Sequence, residues 1–251
     1  MPKPPNMKSQ PERSEAVTLM GQILAFVREH RLKPQDRLPS ERVLVERFGA
    51  TRPVIREALA VLDCLRIIER RPRSGVYLRA EASAASLDMI VVKADLGLPV
   101  DDDEVEQLSE FRSMLEAQAI VLACKRRTPR DIERMDECNR QCRERLKRKE
   151  SIAQPSAEFH LAMIAATQNQ FLLRTANSFY LATRAWREQV FDDIEVCRRS
   201  IRDHQALRDA IALGQVSRAR ELMAEHLQVA DHYWHDWHAS VSTRRKPAGR
   251  A

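Results

Sequence analysis

The stretch Lys33–Arg79, KPQDRLPSERVLVERFGATRPVIREALAVLDCLRIIERRPRSGVYLR, places two short helical patterns and a hairpin in close succession. From Ser40 to Phe48 the apolar positions Val43, Leu44 and Phe48 recur at helical spacing, and Gly49 ends that helix with the residue best suited to a left-handed conformation. A second helix is predicted to start at once, with Thr51 as an N-cap accepting backbone N–H bonds and Pro53 in the first turn, where its missing donor does no harm. Ile55, Ala58, Leu59 and Leu62 line one face of it, while Arg52 and Arg56 project together from the start of the other. Beyond it the β-prone runs Ile67–Glu69 and Val76–Leu78 flank the basic turn Arg70–Gly75. The alternative is a surface helix pair with solvated arginines. Cap, glycine, apolar stripe, arginine pair and basic hairpin instead agree on a winged helix-turn-helix whose recognition helix enters a major groove.

Charge points the same way. Residues 1–80 hold 16 Lys and Arg against 9 Asp and Glu, whereas the rest of the chain holds 26 against 27. That is +7 on the segment expected to meet phosphates and −1 on the remainder, which together give the chain's +6. At 251 residues the chain has room for two modest domains. No apolar run approaches the ~20 residues a membrane span requires. The first residues, MPKPPNMKSQPERSE, lack the apolar centre of a secretion signal, so a cytoplasmic location is expected. The cysteines Cys64, Cys124, Cys138, Cys142 and Cys197 form no Cys-x-x-Cys pair and suit a reducing compartment; Cys138 and Cys142, one turn apart, read as ordinary helix residues.

Upstream, Val17, Met20, Ile23, Leu24 and Val27 give the third helix such a module needs. Downstream, punctuation at Gly97-Leu98-Pro99, Thr128-Pro129, Gln154-Pro155, Asn169 and Gly214 divides an otherwise helical pattern. Helices are predicted near 84–95, 102–127, 130–150, 155–168, 170–192, 197–213 and 216–238. The expected fold is mostly α: an N-terminal winged helix-turn-helix of three helices plus a two-stranded wing, then a C-terminal antiparallel all-α bundle of six or seven helices. The predicted divisions are a disordered arm over 1–13, the DNA-binding domain over 14–80 and a linker over 81–86. An effector-binding and dimerisation domain follows over 87–240, and a disordered basic tail over 241–251. In the 102–127 helix Leu108, Phe111, Leu115, Ala119 and Leu122 form the buried stripe, with Arg112 and Glu116 beside it. The 130–150 helix has few apolar anchors and is expected on the outside.

Three histidines in this half share a possible level. His204 lies 10 residues before Gly214 and His226 lies 12 after it, so an antiparallel hairpin puts both roughly 15–18 Å from the turn. His160 is on an earlier helix. A lone histidine in a helix is more often packed or exposed than a ligand, but imidazoles converging on an interior suit Zn, Ni, Mn or Fe ions. His232, His235 and His238 form a second strip, read as a surface or a dimer contact or an adventitious metal site.

The residues Leu38-Pro39-Ser40-Glu41-Arg42, Thr51-Arg52, Ile55-Arg56-Glu57-Ala58-Leu59 and Gly75 resemble the winged domain of GntR-type bacterial transcription regulators. The resemblance implies DNA contacts from Arg42, Thr51, Arg52, Arg56, Arg73 and Gly75. Gln35, and Leu65-Arg66, stand where that family commonly has glycine. Phe111-Arg112-x-x-Leu115-Glu116, Phe159-His160, His204 and His226 are similar to the all-helical FCD effector domain of the FadR branch. In metal-binding members three histidines, here His160, His204 and His226, hold a divalent ion together with an aspartate one turn before the first; Ser156 occupies that place here. Either one divalent ion (Zn, Ni or Mn) is held more weakly, or the pocket is metal-free. Arg112 is the candidate clamp for an anionic effector, or an intrahelical partner of Glu116.

The expected function is a homodimeric DNA-binding regulator, a repressor by default, that reads a palindromic operator and senses a small carboxylate. A metal-free sensor of the acyl-CoA or fatty-acid type is the alternative. A metal-dependent hydrolase ranks below both, since the chain has no His-Glu-x-x-His motif, nucleophile elbow or phosphate loop and is read as no enzyme.

Overall fold

The computed structural model describes residues 14–79, 88–96 and 102–228. The arm over 1–13, the linker over 81–86, the tail over 241–251 and the His232, His235, His238 strip lie outside them. The chain forms two compact units, Met1–Leu98 and Pro99–Ala251.

In the first unit α1 (Glu15–Glu29), α2 (Glu41–Phe48) and α3 (Arg52–Cys64) precede the strands β1 (Ile68–Arg71) and β2 (Gly75–Leu78). Ser14 and Ser40 cap α1 and α2 by accepting from the N–H groups of Val17 and Val43. Gly49 ends α2 at φ 65°. Leu19, Met20 and Ile23 of α1 meet Leu44 of α2 and Ile55, Leu59 and Leu62 of α3 in one core, closed by Ile68 and Leu78 of the wing. The strands pair antiparallel with Ile68 opposite Leu78 and Arg71 opposite Gly75.

Three details depart from the sequence expectation. Thr51 holds the N-cap position of α3 with extended backbone, yet its side chain makes no capping bond. Pro53, the second residue of the helix, has no N–H to offer, which removes one of the two donors a cap hydroxyl reaches. The segment before α2 is also more ordered than a loop. The Leu38 N–H donates to the Val76 carbonyl at 2.8 Å, and the Leu78 N–H donates to the Asp36 carbonyl at 2.9 Å, so residues 36–38 add an edge to β2. Finally, α4 (Asp88–Asp95) packs Met89 and Val92 onto the winged core. Leu96, just after it, lies against Gly21, so α4 belongs to the compact unit that holds the winged core.

The second unit contains α5 (Asp102–Arg126), α6 (Pro129–Lys147), α7 (Ala153–Ala165), α8 (Gln170–Ala182), α9 (Arg184–Val190) and α10 (Ile194–Ala212), with a further helix α11 over 216–228. Thr128 and Asp131 form a reciprocal capping box on α6, Asn169 caps α8 and Asp193 caps α10. The helix predicted over 170–192 breaks at Thr183, whose hydroxyl donates to the Phe179 carbonyl at 3.0 Å. Such back-bonding to the preceding turn bends helices. α6 turns Arg140, bonded to Glu137 and Glu144, outwards and buries Met135, Cys138, Asn139 and Cys142. Burial pushes the Cys138 and Cys142 thiols up to about 11 and about 12, which keeps both protonated and unreactive. α7 packs against α5, α6, α8, α9 and α10. Being enclosed by five helices, it buries polar Ser156 and His160 along with its apolar residues.

Gln35 and Arg66, standing where glycine is common in the resembled family, adopt φ 72° and φ 59°. Arg66 occupies the left-handed position of a Schellman closure on α3: its N–H donates to the Asp63 carbonyl, and that of Ile67 to the Leu62 carbonyl. A side chain there costs ~1–2 kcal/mol, against which glycine loses ~0.5–1 kcal/mol in chain entropy. Arg66→Gly is therefore expected to stabilise the winged unit by roughly 0.5–1 kcal/mol, read as a higher urea midpoint with an unchanged slope.

Candidate functional site

Two candidate sites stand out among the described residues, one in each unit. In the first, Arg42, Thr51, Arg52, Arg56 and Arg73 are all exposed, on α2, at the start of α3 and on the wing turn. Arg56 is held from two sides. Its Nε donates to Glu41 Oε2 at 3.0 Å, and its carbonyl accepts from Arg70 Nη2 at 3.1 Å. Gly75 sits at φ 141°, and a Cβ there would stand 2.6 Å from Arg37 Nε, so only glycine lets that guanidinium cross the wing turn. Arg37, Ser40, Arg70 and Arg73 line one groove of about 770 Å³, its open side included. Arg37 and Arg70 were not singled out in the sequence. Arg70 is one more charge in the basic turn, and nothing local marks Arg37.

In the second unit α7, α10 and α11 bring His160, His204 and His226 together, all buried. One ring nitrogen from each lies within 4.8 Å of the other two. His160 Nε2 is 3.3 Å from His204 Nε2 and 3.3 Å from His226 Nε2. Behind His160 stands Glu116, whose Oε2 is 2.7 Å from His160 Nδ1. Its other oxygen accepts from Arg112 Nε at 2.9 Å and from the Tyr180 hydroxyl. Behind His226 stands Asp203, with Oδ2 3.2 Å from Nδ1. Ser200 Oγ lies 3.4 Å from His204 Nε2, while His204 Nδ1 has no partner among the described residues.

The electrostatics fix the proton positions. Burial alone would raise the Glu116 carboxyl, but His160 and Arg112 beside it, with the His160 and Tyr180 hydrogen bonds, hold it well below the carboxylate range. Glu116 is thus an anion that only accepts, and the His160 Nδ1 must carry the proton. Burial likewise lowers His160 to about 4 against the pull of Glu116, and drives His204 well below its ordinary value, so both rings are neutral. With its Nδ1 proton on Glu116, His160 turns its Nε2 lone pair toward the Nε2 atoms of His204 and His226. Carboxylate-held imidazoles presenting free Nε2 atoms are the arrangement that orients metal ligands.

His160 and His226 open on a narrow cleft with about 40 Å³ of free space. Ser156, buried, lines it one turn before His160 and brings a hydroxyl where a carboxylate would bring charge. Arg112 lines it too, with Nη2 3.4 Å from His160 Nε2. The Arg112 pairing with Glu116 is present, and both residues are buried in the seam of α5, while Phe111, Leu115 and Leu122 are only half-buried. Tyr180, Arg187 and Asp203 were missed by sequence reasoning. Asp203 precedes His204 directly, a signal that could have found it, whereas nothing local marks Tyr180 or Arg187.

Two family models match: bacterial regulatory proteins of the gntR family over residues 16–78, and the FCD domain over 107–229. The chain is 29% identical to the HTH-type transcriptional regulator LutR of Bacillus subtilis (strain 168), over 80% of this chain and 93% of that protein. It is 30% identical to an Escherichia coli (strain K12) protein named for regulation of the L-lactate dehydrogenase operon, over 82% and 80%. Among solved structures it is similar in fold to Lar, which controls the Listeria monocytogenes agr system. That match has a TM-score of 0.65 and 17% identity, over 90% of this chain and 99% of that one.

Glu116 gives a direct stability test. Glu116→Ala leaves Arg112 buried without its carboxylate and is expected to destabilise the helical unit by ~3–5 kcal/mol in urea unfolding. Glu116→Gln, which keeps the shape and two hydrogen-bonding atoms, is expected to lose less.

Proposed function

The chain belongs to the gntR family of bacterial regulatory proteins, as a DNA-binding transcription regulator with an FCD domain, and from that premise we propose that it is a homodimeric repressor responding to a small carboxylate. The observation that carries the sensing half is the set of three converging imidazole nitrogens, two of them backed by carboxylates.

His160, His204 and His226 would hold one divalent ion, zinc, nickel or manganese, with Glu116 and Asp203 fixing the rings and Ser156 contributing at most a neutral hydroxyl. Bound there, the ion supplies a positive centre for an effector oxygen. Arg112 Nη2, directed at the same point as the Nε2 atoms, would meet the effector carboxylate while Nε stays on Glu116. The E. coli relative named for an L-lactate dehydrogenase operon supports a small acid as the class of ligand.

At the DNA, Arg52 and Arg56 read base edges, Arg42 and Thr51 set register on phosphates, and Arg73 with Gly75 reaches a neighbouring groove. One recognition helix makes few base contacts, so two related by a two-fold axis on a palindrome supply the specificity. Effector binding favours a placement of the two winged units that no longer fits the half-site spacing. The proposed location is the cytoplasm, where operator and metabolite are both present.

Arg52→Ala is expected to weaken binding by ~1–3 kcal/mol to an operator selected in vitro with the wild-type protein, and to relax discrimination at one base pair. Equal losses on selected and random duplexes would reduce Arg52 to a backbone contact. His204→Ala is expected to abolish zinc retention and the thermal shift on adding zinc while leaving operator binding intact. Wild-type protein, purified without an affinity tag, that neither carries metal nor gains thermal stability from zinc, nickel or manganese would refute the ion.

A further inference from the structure

Arg187, on the seven-residue helix α9, is 6% exposed and lines the histidine cleft. Its Nη2 donates to the Tyr180 carbonyl at 3.3 Å, and its guanidinium lies 4.9 Å from the centre of the Tyr180 ring. Its Nε and Nη1 have no hydrogen-bond partner among the described residues. A buried guanidinium with two donors that no protein group accepts is costly, because its lost hydration is only partly replaced. Burial lowers its pKa to about 10, which still leaves it charged near neutral pH.

Formal charge in the cleft isolates the same residue. Arg112 is balanced by Glu116, and Arg199 Nε lies 3.8 Å from Asp203 Oδ2. Ser156 adds none, and His160 and His204 are neutral. Arg187 makes no ion pair among the described residues, and Glu188 and Glu116 act on it only through space. Arg112 and Arg187 both lie near the Tyr180 ring, at 5.8 Å and 4.9 Å from its centre.

We propose that Arg187 forms a second anion subsite in this cleft, separate from the imidazoles, and that the effector is a small diacid with one acidic group on each. This rests on reading the cleft as the effector site. One acidic group takes the position facing His160, His204, His226 and Arg112. The other accepts from the idle Nε and Nη1 of Arg187 in the two-pronged manner that suits a guanidinium. A monoacid leaves one of the two cationic positions unanswered.

The test uses full-length, zinc-loaded protein titrated calorimetrically with acetate, malonate, succinate and glutarate. At least one diacid is expected to bind roughly ten- to hundredfold tighter than acetate, the worth of an added charge-assisted pair. Arg187→Met is expected to bring that diacid down to the affinity of acetate, with zinc content and acetate binding unchanged; Arg187→Lys should fall between. In the wild type, the Arg187 Nε–H resonance, identified by its loss in Arg187→Lys, should shift with the diacid and not with acetate. This reading survives even if the methionine variant fails to fold. The proposal is overturned if no diacid exceeds acetate, if acetate and the diacid weaken in parallel in Arg187→Met, or if the Arg187 resonance stays still at diacid saturation. A protein that retains no zinc yet keeps the Arg187-dependent preference for a diacid refutes the ion alone and supports the subsite.

Discussion

Glu116, fully buried on α5, accepts from Arg112 on its own helix, from His160 on α7 and from Tyr180 on α8, and so ties three helices to one negative charge. A lone carboxylate at that depth would be costly, and the attraction of Arg112 with three hydrogen bonds is what keeps it ionised. The rest of the cleft depends on this. The carboxylate sets the His160 tautomer, which turns the Nε2 lone pair toward His204 and His226. Were Glu116 neutral, His160 would be free to reverse its ring, and the three nitrogens would lose their common focus.

The same cleft contains groups in opposite condition. Glu116 has all its partners, whereas His204 Nδ1 and two donors of Arg187 have none among the described residues. Fully satisfied buried polar groups rigidify a fold, and unsatisfied ones mark where something else completes it. Both kinds occurring in one cleft is what separates a site from a structural network. The break at Thr183 contributes directly, since ending α8 there lets α9 carry Arg187 back toward the Tyr180 carbonyl.

The winged unit uses similar logic at lower stakes. Arg56 is exposed, and its pair with Glu41 is screened by water, so the contact is worth little to stability. It matters for direction. α2 holds the Arg56 side chain and the wing holds its backbone through Arg70, so three elements agree on where one guanidinium points before DNA arrives.

Much of this was legible in the sequence, because caps, helix periodicity and the glycine at position 49 act over a few residues. The helix-turn-helix, the wing, the exposed arginine pair and the three histidines on separate helices all follow from local spacing. The tertiary structure alone decided which core α4 joins, since its short apolar stripe fits either unit by pattern. It also decided that residues 36–38 lie along β2, that Arg112 and Glu116 face inward while Phe111 is only half-buried, and that Arg187 is enclosed with two of its donors unpaired among the described residues. Those outcomes depend on burial and on partners distant in the chain. No rule of neighbouring residues encodes what stands opposite a side chain once seven helices have closed around it.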